Sequence, residues 1–257
     1  MKRSIIVVVV LCLCSVGSFG WADVISLRAD PWCPYNCDPG DPHPGILIEI
    51  AKVMFERAGH QIDYQLLNWA RAKLETQNGT VNGAVGMLKD DDTVQEYVFG
   101  DNELAIAQLC YFVRDGYAWQ FQGVPSLETE VLGVINGYGY YTELDEYIER
   151  NKDTDKVEAV GGDDPLKPNI NKLVRERISV VVEDKLVLEY TLKAMGLAGK
   201  VKSAGCVDFM DKIHIAFSKA NPKSPEYAKI LSDGVEQLRQ SGELKTILDA
   251  YGVKDWK

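Results

Sequence analysis

The chain has 257 residues, 46% of them hydrophobic and 26% charged, the proportions of a packed globular protein, which excludes intrinsic disorder and collagen-like repeats. Its 28 Lys and Arg against 38 Asp and Glu give a formal net charge of -10 with no run of more than two basic residues, so no nucleic-acid partner is expected. Near this length a single hydrophobic core stops growing, and two lobes of roughly 100 residues each fit the chain as well as one domain.

Lys2 and Arg3 precede an apolar run over residues 5–14, followed by small residues up to Gly20, Trp21 and Ala22. This predicts a signal peptide over residues 1–22, cleavage after Ala22 and a periplasmic mature chain. The apolar run is about half of the ~20 residues a membrane-spanning helix needs. Leu11, Cys12 and Leu13 before Cys14 lack the small residue that precedes a lipid-anchored cysteine. Cys12 and Cys14 leave with the signal; Cys33, Cys37, Cys110 and Cys206 remain, an even number in a compartment that permits disulfides. Three connectivities are possible. The short Pro- and Asn-rich loop WCPYNC favours Cys33 with Cys37, which leaves Cys110 for Cys206. A metal site is disfavoured, because none of His43, His60 and His214 stands at helical spacing from another ligand. No metal or cofactor is expected.

Residues 24–29 alternate as a short strand and run into a loop holding Pro31, Pro34, Pro39, Pro42 and Pro44. Leu47, Ile50, Ala51, Met54 and Ala58 then recur at helical spacing, with Gly59 as the stop. A strand over 61–68, a short helix over 69–76, the turn Asn78-Gly79 and a buried strand over 84–88 follow. Such alternation implies a parallel sheet whose ligand loops lie beyond the strands' carboxyl ends, here residues 30–35, 69–71 and 87–92. After an apolar stretch over 105–113 comes a second α/β unit: strand 131–135, helix 142–150, a polar linker, helix 170–176, strand 178–182 and helix 187–195. A strand over 213–217 and helices over 225–239 and 242–251 close the chain. No period of 20 to 50 residues repeats, which excludes a solenoid.

The order of elements, together with the strings PGILIEIAKVMFERAG, NGTVNGAVGML, VLGVINGYGYYTEL, ISVVVEDKLVLEY and SPEYAKILSDGVEQLRQSGELKTILDAYG, resembles the extracellular solute-binding proteins of family 3, the polar amino-acid type of ABC-transporter receptor. The resemblance spans nearly all of residues 22–251. It implies an α/β, periplasmic-binding-protein-like fold of type II, with two crossing hinge strands and a ligand cleft between lobes that close by hinge motion. Lobe 1 would comprise residues 23–110 and 211–257, and lobe 2 residues 111–210. The crossings would fall near 109–113 and 211–217, so a Cys110–Cys206 bridge would brace the hinge. The function implied is a monomeric, non-enzymatic receptor that captures a small polar ligand and delivers it to an ABC transporter permease, or reports it to a membrane sensor.

Matching the family motif residue by residue places Asp30, Trp32 and Tyr35 on the first ligand loop, Trp69 after the second strand, and Gly86, Met87 and Leu88 at the end of the third. In the second lobe it places residues 137–140, with Tyr138 and Tyr140, at a helix start and Asp184 at a strand end. Aromatic faces sandwich a flat or aliphatic body, carboxylates meet amines, and free N–H groups accept anions. Each has a plainer alternative: Trp32 and Trp69 also suit lobe packing, and Asp184 suits a helix cap. The family's carboxylate-clamping Arg is replaced by Thr93, and its Asp after the glycine turn by Asn82. Arg71, two residues beyond Trp69, is the candidate replacement, although an Arg on a first helical turn is ordinarily solvated. With Asp30 and Asp184 kept and the clamp absent, a ligand bearing an amine or another cation is expected. An enzyme reading would rest on Glu183 alone, and G-x-S-x-G, H-E-x-x-H, P-loop and Rossmann glycine patterns are all absent.

Overall fold

The computed structural model describes residues 22–257; the predicted signal peptide, apart from Ala22, lies outside the described residues. The first sheet is built from β1 (Val24–Ala29), β2 (Gln61–Leu66), β3 (Gly83–Leu88), β4 (Tyr97–Val98), β5 (Ala105–Ala107) and β11 (Asp211–Ser218). Its order is β2-β1-β3-β11-β4, with β5 also on β11. The second is built from β6 (Leu109–Arg114), β7 (Leu132–Ile135), β8 (Val157–Val160), β9 (Val180–Asp184) and β10 (Val201–Cys206), in the order β10-β6-β9-β7-β8. The predicted parallel core is present in both: β1 pairs parallel with β2 and β3, and β7 with β8 and β9. The antiparallel strands are those contributed by the crossing segments.

Helices α1 (Ile46–Arg57), α2 (Trp69–Gln77), α3 (Thr93–Glu96), α7 (Ser224–Ser241) and α8 (Glu243–Ala250) flank the first sheet; α4 (Thr142–Asn151), α5 (Leu166–Val174) and α6 (Lys185–Ala194) flank the second. α1 buries the stripe read from its sequence, and Phe55 meets Phe217 of β11 and Tyr227 of α7 edge to face. In the second lobe Tyr111, Leu132, Tyr147 and Val180 pack at the centre of a separate cluster. Gly45, at φ 118°, starts α1 where a Cβ would stand 2.5 Å from the Tyr35 carbonyl oxygen, so only glycine lets the helix abut the loop before it.

The first crossing is a single residue, Gln108, between β5 and β6, and the second runs from Val207 to Met210, between β10 and β11. The sequence-based crossings at 109–113 and 211–217 therefore fall inside β6 and β11. The expected boundary after Cys110 falls two residues into the second sheet. Both expected disulfides are present. Cys110 and Cys206 are directly opposed in the antiparallel β6–β10 pair, so their bridge joins the two crossing chains where they enter lobe 2. Strands β8 and β10 are additions to the sequence reading, which left residues 151–169 as a linker and gave 196–212 no element.

Candidate functional site

The carboxyl ends of β1, β3 and β9 and the turn before α4 surround a cavity of about 170 Å³ between the lobes. Protein–protein bonds close it. The Tyr138 hydroxyl of lobe 2 donates to Asp30 Oδ2 of lobe 1 at 2.6 Å, and Trp32 Nε1 donates to Glu183 Oε1 at 2.9 Å. Lys73 Nζ donates to the Gly137 carbonyl at 2.6 Å and Asn68 Nδ2 to that of Gly162 at 2.9 Å. Trp69 meets Tyr138 edge to face across the same gap.

Of the residues singled out in the sequence, Asp30, Trp32, Trp69, Gly86, Met87, Tyr138, Tyr140 and Asp184 line the cavity. Gly86, at φ 93°, holds the floor open: a Cβ there would come within 3.2 Å of Asn36 Oδ1 and 3.6 Å of the Trp32 ring. Two residues are elsewhere. Tyr35 is buried beneath the loop, where its hydroxyl donates to the Ile106 carbonyl at 2.7 Å and its ring stacks under Trp32. Arg71 does not line the cavity. Its side chain is 67% exposed and pairs with Glu75 one turn along α2 at 2.7 Å, the ordinary arrangement for an i,i+4 pair on a solvated face. Thr93 caps its own turn, donating from Oγ1 to the Leu88 carbonyl at 3.0 Å, and no arginine lines the cavity.

Asp184 performs the capping job. Its Oδ1 accepts from Val187 N–H at 3.0 Å at the start of α6, and its Oδ2 from Gln108 N–H, the one residue of the first crossing, at 2.8 Å. Glu183 is the carboxylate that sequence reasoning assigned only to a rival enzyme. The alternation of a strand predicted that one of the pair would face the cleft, but β9 ends at Asp184 as the chain turns into α6, and both reach it. Glu183 Oε1 accepts from Trp32 and from Asp184 N–H, while Oε2 is buried with no partner. Asn36 is buried too, its Nδ2 donating to the Asp30 carbonyl at 2.6 Å and its Oδ1 unpartnered. Two buried side-chain oxygens, Glu183 Oε2 and Asn36 Oδ1, are therefore without a partner.

Asp90 and Asp211 add further acid to the lining, and among the described residues Lys73 is its one cation. Lys73 follows Trp69 by four residues and so shares its helical face, a signal the sequence carried. Burial holds its ammonium below the ordinary value. Burial likewise pushes Glu183 up to about 8, against the pull of its bonds from Trp32 and Asp184 N–H, and pushes Asp30 and Asp184 up to about 6.

Folded, Glu183 keeps its proton to about pH 8; unfolded, it loses it near the ordinary 4.5. The folded state thus binds the extra proton, and stability falls as pH rises through that window. His214, kept neutral by burial down to about pH 4, removes stability only below 6.5. Raising the pH from about 6.5 to about 8.5 is expected to cost the ligand-free protein about 1–2 kcal/mol, read as a lower urea midpoint. A midpoint that rises over this interval would contradict the burial assigned to Glu183.

No family model matches the chain and no curated protein matches it. Solved structures do. An ABC uptake transporter substrate-binding protein from Streptococcus pneumoniae with bound histidine superposes with a TM-score of 0.75 at 16% identity, over 90% of this chain and 93% of that one. The arginine-, lysine-, histidine-binding protein ArtJ from Geobacillus stearothermophilus gives 0.74 at 15% identity, over 91% and 97%. A histidine kinase sensor domain similar to periplasmic binding proteins gives 0.75 at 15% identity, over 90% and 98%. The chain has the two-lobed fold of periplasmic binding proteins.

Proposed function

We propose that the chain is an exported, monomeric, non-catalytic receptor that captures a small amine-bearing ligand between its lobes and delivers it to an ABC transporter permease. The observation that carries this reading is the pair of buried, unpartnered oxygens, Glu183 Oε2 and Asn36 Oδ1, on two residues that line an interlobe cavity. A buried polar atom left unpaired costs about 1–3 kcal/mol, and a bound ammonium or amide removes that cost. Contacts shared between Asp30 on one lobe and Glu183 on the other favour the closed state over the open one, which is the condition for closure to report binding. Amino-acid receptors of the same fold support the ligand class.

A thermal-shift screen of residues 23–257, refolded to remove carried-over ligand, tests it against amino acids, amines, sugars and organic acids. A ligand at 100 times its Kd adds ~2.7 kcal/mol, several degrees for a chain of this size. Stabilisation by amines or amino acids is expected; stabilisation by sugars or organic acids alone would refute the reading. The likeness to a kinase sensor domain favours one second reading, in which the same closure signals to a membrane sensor. Loss of ligand uptake in cells lacking the chain supports transport, and loss of only a transcriptional response supports sensing.

A further inference from the structure

Apart from Asp184, whose two oxygens are taken by the Val187 and Gln108 N–H groups, the cavity carries its acids in two groups. Asp30 and Glu183 stand at one end beside Asn36, and Asp90 and Asp211 at the other. The strand register separates them. Arg28 pairs with Ala84 and Leu88 with Ile213, so Asp30 is level with Gly86 of β3, while Asp211 is level with a position two residues past Leu88 on a strand two places away from β1. At about 3.3 Å per residue and about 4.8 Å per strand, their Cα atoms lie roughly 16 Å apart. One ammonium with hydrogen bonds of ~2.9 Å cannot serve both. Asp211 feels burial and then the charge of Asp90, and no hydrogen bond acts on its carboxyl.

Acidic residues alone would not make a site. Glu183 is 2% exposed and Asn36 0%, both residues line the cavity at the first end, and each keeps one buried side-chain oxygen without a partner. Between the ends the wall is apolar, formed by Trp69, Met87, Leu109 and Ile213.

A ligand carboxylate meets an acidic lining with no arginine among the described residues. Thr93 stands where the resemblance would place an arginine. The Tyr140 N–H at the start of α4 is taken by both oxygens of Asp145, at 3.1 and 3.2 Å. Lys73, the one lining cation among the described residues, gives one of its three N–H donors to the Gly137 carbonyl and is outnumbered by the lining carboxyls of Asp30, Asp90, Glu183, Asp184 and Asp211. We infer that the ligand is a short dication without a carboxylate, an α,ω-diamine or its guanidino counterpart. One nitrogen sits on Glu183, Asn36 and Asp30, the other on Asp211 and Asp90, with the methylenes along Trp69 and Met87. This deepens the receptor reading and rests on it.

Isothermal titration of the mature chain with 1,4-diaminobutane, 1,5-diaminopentane and agmatine, against lysine, arginine and 1-aminobutane, tests the inference. Each decarboxylated compound is expected to bind about tenfold or more tightly than its amino-acid parent (1,5-diaminopentane over lysine, agmatine over arginine). Asp211→Asn is expected to weaken the diamines about tenfold and to leave 1-aminobutane within about twofold, since a monoamine uses the Glu183 end alone. Equal or tighter binding of the parents, or an Asp211→Asn variant that binds diamines as the wild type does, would overturn it. Binding of an amino acid while every diamine fails leaves the receptor standing and removes the dication. If nothing in this set or in the wider screen binds, both readings fall.

Discussion

Glu183→Gln is expected to do two opposite things: abolish most ligand affinity and make the empty protein more stable at alkaline pH. The first effect follows from removing the carboxyl group that a cationic ligand, by its own charge, draws into the ionised form on binding. Truncating one side of such a pair costs about 2–5 kcal/mol, roughly thirtyfold or more in Kd. The second follows from the side chain's own ionisation. Above about pH 8 the folded protein must carry Glu183 as a buried anion with one oxygen unpartnered, and glutamine keeps the acceptor for Trp32 Nε1 without that charge. The pH slope of the urea midpoint between about 6.5 and 8.5 should flatten in the variant. A variant that is less stable than the wild type at pH 8.5 and retains the slope would show that Glu183 is a structural residue, not a ligand-binding one. Binding sites commonly carry such opposed demands, because groups placed for a ligand are poorly placed without it.

Removing the Cys110–Cys206 bridge as Cys110→Ala with Cys206→Ala is expected to cost about 4–5 kcal/mol, since it closes a loop with a sequence separation of 96 residues. For a chain of this size that is on the order of 10 °C in Tm. The matching pair of changes at Cys33 and Cys37, separated by 4, should cost about 2 kcal/mol. Thermal or urea unfolding of the two double variants decides it. Equal losses, or a larger loss at Cys33 and Cys37, would mean that local packing and not chain entropy sets the value of these bridges.

Much of the architecture could be read from periodicity because the central strands are unbroken apolar runs and the closing helices carry long stripes. The edge strands β8 and β10 could not. Each buries only one or two residues, Val157 in β8 and Val201 and Ala204 in β10, and so reads as polar linker. The crossings were displaced for a related reason: Gln108 is one residue between two strands that read as a single apolar stretch. In the site, the aromatic residues were legible because large rings in Gly- and Pro-rich loops need a reason to be there. Tyr35 misled because its ring serves the loop's own packing. Asn36, Lys73 and Asp211 owe their roles to groups distant in sequence or on the opposite lobe, such as Gly137 for Lys73. Glu183 was marked in advance only by its place at the end of VVVED, two acids closing an otherwise buried strand.

The bonds across the cavity mouth, Lys73 to Gly137 and Asn68 to Gly162, together with Tyr138 on Asp30 and Trp32 on Glu183, join lobe to lobe through protein groups alone. Each raises the resting population of the shut conformer, and apparent affinity scales with the fraction of molecules already competent to hold the ligand. Under the proposed function, the same resting population sets the background that a membrane partner reads when no ligand is present. Sensitivity and a low baseline therefore pull against each other in this molecule, and the strength of these four bonds fixes the compromise.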